Sequence, residues 1–230
     1  ILTTGTGSIF GFLVARQAYD AALMAPMFIV MSFSFGLAIF LLVTMAAYKW
    51  TDRPFGDALF RRLKNLLGVF VAGVLYFVMV FHLTNLYATE HHGVEAFILR
   101  DGGIYTQLFW IGQILIGSLL PLLLFYHPTW GKSRALVGLG ALLVIIGGLV
   151  QMYVIIIGGQ AYPLYLFPGK EVSSSFSDGI VNSYAPSLPE VVLGLGGIAI
   201  ALIIVALAIK VLGFLPNSLA DEDVDPHHKA

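Results

Sequence analysis

Leu23-Met-Ala-Pro-Met-Phe-Ile-Val-Met-Ser-Phe-Ser-Phe-Gly-Leu-Ala-Ile-Phe-Leu-Leu-Val-Thr-Met-Ala-Ala-Tyr48 contains no acid, lysine or arginine. A bilayer core of ~30 Å needs about 20 apolar residues at ~1.5 Å rise each, and this stretch supplies them. Four runs of the same kind follow: Asn65–Tyr87, Ile104–Tyr126, Ala135–Ile157 and Val191–Ile209. A core helix of a soluble protein would be shorter and would show a charged face. Spanning strands would need ~10-residue segments alternating polar with apolar, and none occurs. The expected fold is an all-α, polytopic transmembrane bundle of five spanning helices. Ile1–Ala15 is uncharged and apolar but too short to span and has no basic start, so it reads as the end of a preceding helix. The chain is therefore expected to be the C-terminal part of a longer protein.

Hydrophobic residues make up 58% of the chain and charged ones 11%, against ~25% charged in an ordinary soluble domain. One membrane domain over residues 1–215, followed by an acidic tail over 216–230, accounts for this composition. No nucleic-acid partner is expected; the surrounding partner is lipid. The net charge of -1 hides a strong sidedness. Lys49, Arg53, Arg61, Arg62, Lys64, Lys132, Arg134, Lys210 and Lys229 fall on one face, and Arg16, Arg100 and Lys170 on the other. That bias places the Lys49–Lys64 loop, the Lys132–Arg134 loop and the C-terminus in the cytoplasm, with Tyr87–Tyr105 and Gly158–Leu188 facing outward. The absence of cysteine excludes a disulfide, a thiolate-held iron–sulfur cluster and a Cys-ligated zinc within this chain. Any such electron carrier must sit on a partner.

The loop Lys49–Lys64 mixes bases with Trp50, Phe55 and Phe60, the pattern of a segment lying at the headgroups. Gly158–Leu188 is the one long connection, and its Tyr162, Tyr165, Phe167, Phe176 and Tyr184 favour folding over the outer face. The tail Asp221–Asp225, followed by His227 and His228, is expected to be solvated and disordered. Glycines at 138, 140, 147 and 148, and again at 194, 196 and 197, point to close helix packing.

Function must sit in the few polar residues inside the spans. His82 lies ~27 Å along its helix from Lys64, within about a turn of the outer interface, with Asn85 and Thr89 expected on the same face. Glu90 continues the polar run. An imidazole near hydrocarbon can hydrogen-bond a quinone carbonyl and exchange a proton near neutral pH; it can equally be a structural bond to a neighbouring helix. Gln113 lies ~12 Å deep from Tyr105, with Gly117 and Pro121 on much the same face. Gln151 returns to the outer half of the next helix, so His82, Gln113, Gln151 and Tyr153 are candidates to line one outward cavity. Glu190 stands at the outer mouth of the fifth helix, where a proton relay can begin. Ser187-Leu-Pro-Glu190 also has capping-box spacing, so a structural role is open too. A b-type haem needs histidines facing each other from two helices, and His82 is alone at its depth, so neither haem nor an iron–sulfur cluster is expected to be ligated here.

Met24-Ala-Pro-Met-Phe28, Phe109-Trp-Ile-Gly-Gln-Ile-Leu-Ile-Gly-Ser-Leu-Leu-Pro121, Ser187-Leu-Pro-Glu190 and Gln151-Met-Tyr-Val-Ile-Ile-Ile-Gly-Gly-Gln-Ala-Tyr-Pro163, in this chain's order and spacing, carry a resemblance. Through them the sequence resembles the NrfD/PsrC family of polytopic quinone-interacting subunits. With the tail Ser218–Pro226 it is most similar to the DsrP branch, linked to dissimilatory sulfite reductase and sulfur metabolism. The resemblance implies a multi-pass subunit of a bacterial inner (cytoplasmic) membrane that passes electrons between the quinone pool, menaquinone or ubiquinone, and an iron–sulfur partner. That partner would be a periplasmic ferredoxin-like subunit, accompanied by cytochrome-containing subunits. It implies a non-autonomous oxidoreductase subunit; no catalytic residue is assigned in this chain, and the quinone or proton-path candidates read from the residues are His82, Asn85, Glu90, Gln113, Gln151, Tyr153 and Glu190. Relatives commonly carry an acid where Gln113 stands, and the family's quinone pocket lies largely in the first of two bundles. The candidates here therefore belong to the second bundle's polar path or to a pocket edge. Two other classes remain open on the residues alone: a polytopic transporter or channel, which predicts inverted repeats and broken helices at the midplane, and a structural anchor for extrinsic subunits.

Overall fold

A computed structural model describes residues 1–164 and 179–224. The residues Tyr165, Phe167 and Phe176 of the long connection and His227 and His228 of the tail lie outside the described residues. Among the described residues five helices are long and apolar enough to cross a membrane. A short helix, α1 (Leu2–Gly11), precedes them. The spans are α2 (Met24–Trp50) and α3 (Asp57–Tyr87), then, after a short α4 (His92–Ala96), α5 (Ile104–Tyr126), α6 (Arg134–Ala161) and α7 (Leu188–Val211), followed by a single turn, α8 (Asp221–Val224).

The four spans α2, α3, α5 and α6 form a bundle with an inverted surface. Phe33, Phe40, Leu83, Trp110, Leu115 and Leu149 are exposed, as lipid-facing side chains must be, whereas Ser34, Asn85, Glu95, Gln113 and Gln151 are buried. The core has two parts. Around Ala38, Leu41, Leu67, Phe125, Val137 and Ala141, near the basic loops, packing is tight, with each of these residues fully buried. The distal cluster contains Met24, Met27, Val78, Phe81, Val94, Phe97, Ile98 and Phe109.

Hydrophobic drive is absent between helices in lipid, so contact area has to come from backbone approach. Gly117 of α5 and Gly147 of α6 supply it: a Cβ added to Gly147 would collide with the Gly117 Cα. In this region α5 runs in the wider i→i+5 register, over Leu108–Leu119. Pro121 follows directly and has no N–H to give back, so the register changes where the ladder must lose a bond anyway. Gly103, at φ 58, begins α5 in a conformation that side-chain-bearing residues avoid. The glycines of α7 behave differently. Nothing lies within 4 Å of a Cβ added at Gly194, Gly196 or Gly197, and α7 buries no residue, so the close packing expected of this helix does not occur among the described residues.

The basic face is laced together. Gly56 N–H donates to the Leu219 carbonyl at 2.8 Å, and Leu219 N–H to the Pro54 carbonyl at 3.0 Å. An Asp221 carboxylate oxygen accepts from Ala58 N–H at 2.8 Å, capping α3 from a remote part of the chain. Arg53 reaches the Leu215 carbonyl, and Arg134 pairs with Asp57 at 2.7 Å. The loop 49–64, the Lys132–Arg134 turn and the segment after α7 thus share one face, called basic below; the opposite face is distal. Two expectations are corrected. Asp57–Lys64 is not a separate interfacial segment but the first turns of α3, and residues 221–224 are a docked turn because Asp221 has a helix start to cap. Lys64, buried in α3, donates to the Phe125 carbonyl at 2.8 Å and satisfies the end of α5.

Candidate functional site

The distal ends of α2, α3, α5 and α6 do not close on one another. They leave a small cavity of about 40 Å³ that opens at its mouth, lined by Met24, Met27 and Phe109, with His82, Asn85, Gln113 and Gln151 supplying the polar groups. Its roof is the connection after α3. There Val94 and Ile98 anchor in the distal core, and Glu95 comes in beside them on the same side of the short helix.

Glu95 is 2% exposed and engages both of its oxygens. Asn85 Nδ2 donates to Oε1 at 2.9 Å, and Oε2 shares a proton with His82 Nδ1 at 2.7 Å. His82 and Asn85 converge on one carboxyl group because i and i+3 lie on the same face of α3. Burying a carboxylate without partners costs several kcal/mol, and these two bonds offset that cost. With Nδ1 committed to Glu95, Nε2 is the ring's remaining polar atom. An edge-on contact with Phe109, centroids 4.8 Å apart, fixes the ring plane.

A second, much narrower space of about 10 Å³ continues toward the middle of the bundle, lined by Ser34, Ser118 and the glycine crossing. Gln113 and Gln151 border both spaces. Gln151 is 2% exposed, yet its Nε2 has no partner among the described residues. A buried amide donor without an acceptor costs about 1–3 kcal/mol, so a group placed at this position fits an acceptor oxygen brought by a ligand or water. Below Ser34 the tight basic-side core closes the path.

Of the residues singled out in the sequence, His82, Asn85, Gln113 and Gln151 are therefore brought together. Tyr153 is not: its hydroxyl donates to the Tyr184 carbonyl at 3.1 Å, and its ring stacks on Tyr105. Glu90 is exposed and lies 3.7 Å from His91 Nε2, outside the cavity. Thr89 falls beyond the end of α3 at Tyr87 and does not share the His82 face. Glu190 accepts from Ser187 N–H at 2.7 Å and from Tyr184 at 2.9 Å, forming the capping box of α7. Donation to that carboxylate pushes the Tyr184 hydroxyl above its ordinary pKa. Glu95 escaped the sequence reading because it lies in a connection; the available signal was a lone acid inside the apolar run Val94–Leu99. His91 holds the roof down, its Nδ1–H donating to the Gln17 carbonyl at 2.7 Å. Among the described residues no three His, Cys, Asp or Glu side chains converge as a metal site requires.

Residues 1–163 match the family described as Polysulphide reductase, NrfD. The chain belongs to the NrfD family. It is similar to the Hdr-like menaquinol oxidoreductase integral membrane subunit of Archaeoglobus fulgidus, at 26% identity over 98% of the chain and 57% of that protein. It is also similar to a selenate reductase subunit of Mesobacillus selenatarsenatis, at 29% identity over 90% of the chain and 47% of that protein. A putative dimethyl sulfoxide reductase membrane subunit of Halobacterium salinarum is 27% identical over 95% of the chain and 51% of that protein. The chain spans about half the length of these relatives. No solved structure matches. Family membership and five apolar helices together make this a multi-pass integral membrane protein.

Proposed function

We propose that the NrfD-family chain is part of a quinone-linked oxidoreductase membrane subunit and that the distal cavity takes a quinone head group. The observation that carries this reading is the Asn85–Glu95–His82 cluster set in a largely apolar cavity that is also lined by Gln151, a buried amide donor with no acceptor among the described residues. Small-ligand sites have this composition: apolar walls with a few converging polar groups. Quinone, when bound, supplies two-electron, two-proton chemistry. The chain's own residues bind and handle protons. Gln151 Nε2 donates to a carbonyl oxygen, and Phe109 and Met27 cover the ring. His82 Nε2 exchanges a proton with the second oxygen, while Glu95 holds Nδ1 and stabilises the charged imidazole. The A. fulgidus relative's name, a menaquinol oxidoreductase subunit, supports the ligand class.

In this reading electrons pass to an iron–sulfur subunit docked on the distal face, with cytochrome-containing subunits beyond it. The distal face is periplasmic, and the basic face and C-terminus are cytoplasmic, in a bacterial inner membrane, following the positive-inside bias. Fluorescence quenching of a hydroxyquinoline quinol analogue, titrated into the purified complex, tests the site. His82→Ala and Gln151→Leu should each weaken binding about tenfold, equivalent to one hydrogen bond of ~1.4 kcal/mol. Wild-type affinity in both variants, with the complex intact, removes the cavity from consideration.

A further inference from the structure

The basic face has a pocket that the quinone reading does not use. It measures about 440 Å³ and lies between the end of α2 and the start of α6. Three cations from separate elements line it: Lys49 of α2, Arg53 of the following turn and Arg134 of α6. Its remaining walls are apolar or aromatic, chiefly Met45, Tyr48 and Phe55, and no acid lines it. Asp57 pairs with Arg134 from outside the lining and so offsets part of that charge, while Asp221 caps α3.

We infer that this pocket binds the phosphate of an anionic membrane lipid. Each guanidinium has five N–H donors. The bonds holding Arg53 to Leu215 and Pro216 use only Nη1, and those holding Arg134 to Phe55 and Asp57 use only Nη2, so both arginines are fixed in place with donors to spare. Their charge is thus pre-positioned, and a ligand need order only Lys49. Depth agrees with a headgroup. Met45 belongs to a span, while Trp50, 59% exposed beside Lys49, is placed as aromatic residues are at membrane interfaces. Below the cations, Gly138 keeps α6 low beside Leu42 and Met45, where an added Cβ would lie 3.7 Å from each. A phosphate over an acyl chain matches both the cationic rim and this apolar floor. Free phosphate would leave the floor bare, so the lipid is the occupant favoured. Basic pockets between spanning helices bind anionic headgroups by the same physics.

Lipid retention by the intact complex, measured by native mass spectrometry after exchange into mixed phosphatidylglycerol and phosphatidylcholine, tests the inference. One phosphatidylglycerol per chain should survive delipidation in preference to phosphatidylcholine. Lys49→Gln, which breaks no hydrogen bond found in the fold, should lower that preference about fivefold; Lys49→Gln with Arg53→Gln should lower it about 25-fold. Lys132→Gln, on the same face but outside the pocket, should leave it unchanged. Equal retention of the two lipids by wild type would overturn the inference. So would a loss with Lys132→Gln as large as with Lys49→Gln, or displacement of the lipid by millimolar inorganic phosphate. None of these readouts depends on quinone, so either proposal can fail alone.

Discussion

Replacing Glu95 in two ways separates what holds the site together from what makes it reactive. In Glu95→Leu both hydrogen bonds vanish, leaving His82 Nδ1 and Asn85 Nδ2 buried without partners. At about 1–3 kcal/mol per orphaned group the loss is ~2–6 kcal/mol. With ~2–4 °C per kcal/mol for a chain of this size, the unfolding midpoint should fall on the order of 10 °C. Glu95→Gln has nearly the same shape and keeps both bonds: its carbonyl still accepts from Asn85, and its amide donates to His82 Nδ1. Stability should change by no more than about 1 kcal/mol. The amide, however, forces the proton of a neutral His82 onto Nε2, turning the group that faces the ligand from acceptor into donor. A general base contributes roughly 10²–10⁴ in rate, so quinol oxidation by the assembled complex should fall by about that factor while the complex stays folded. The assays are thermal unfolding in detergent and steady-state quinol oxidation. Equal destabilisation by both substitutions would refute the bonding scheme, and wild-type turnover in Glu95→Gln would refute the proton role of His82.

Two further outcomes follow from the packing. Gly147→Ala puts a Cβ against the Gly117 backbone, where no flexible side chain can yield, and should destabilise by about 1–3 kcal/mol or more, whereas Gly194→Ala, with open space around it, should be neutral or slightly stabilising; midpoints of thermal unfolding compare the two. Tyr19, between α1 and α2, donates to the Ile156 carbonyl at 2.8 Å, and burial pushes its phenol up to about 12 against the ordinary 10, with Arg16 opposing the rise. Because the folded pKa is the higher one, its contribution is complete below pH 10 and is lost as pH rises toward 12, so the unfolding midpoint should drop more steeply across that window in wild type than in Tyr19→Phe.

The helical architecture was readable because charge-free runs of spanning length have few alternative structures in lipid. Axial depth, from ~1.5 Å per residue, also put His82, Gln113 and Gln151 in the outer half of their helices, and the structure gathers them around one cavity. Direction was less accessible. Tyr153 shares that depth but turns toward Tyr184, a difference set by helix rotation that depends on the neighbours. Glu95 was hidden for another reason: a connection between spans reads as solvent-facing until Val94, Phe97 and Ile98 are seen to pull it onto the bundle. The start of α3 depended on Asp221, far away in the chain, which no local pattern announces. Glycine spacing alone did not distinguish the crossing at Gly147 from the open face of α7, since both present the same residues and differ only in what lies opposite.

Photolabelling of the purified full-length complex with an azidoquinone, followed by peptide mapping, addresses the central claim most directly. The cavity reading predicts quinone-competable label on the α3 segment 78–85 and the roof segment 94–98, and its loss in Gln151→Leu. Competable label confined to other parts of the complex, with these two segments clean, would contradict it.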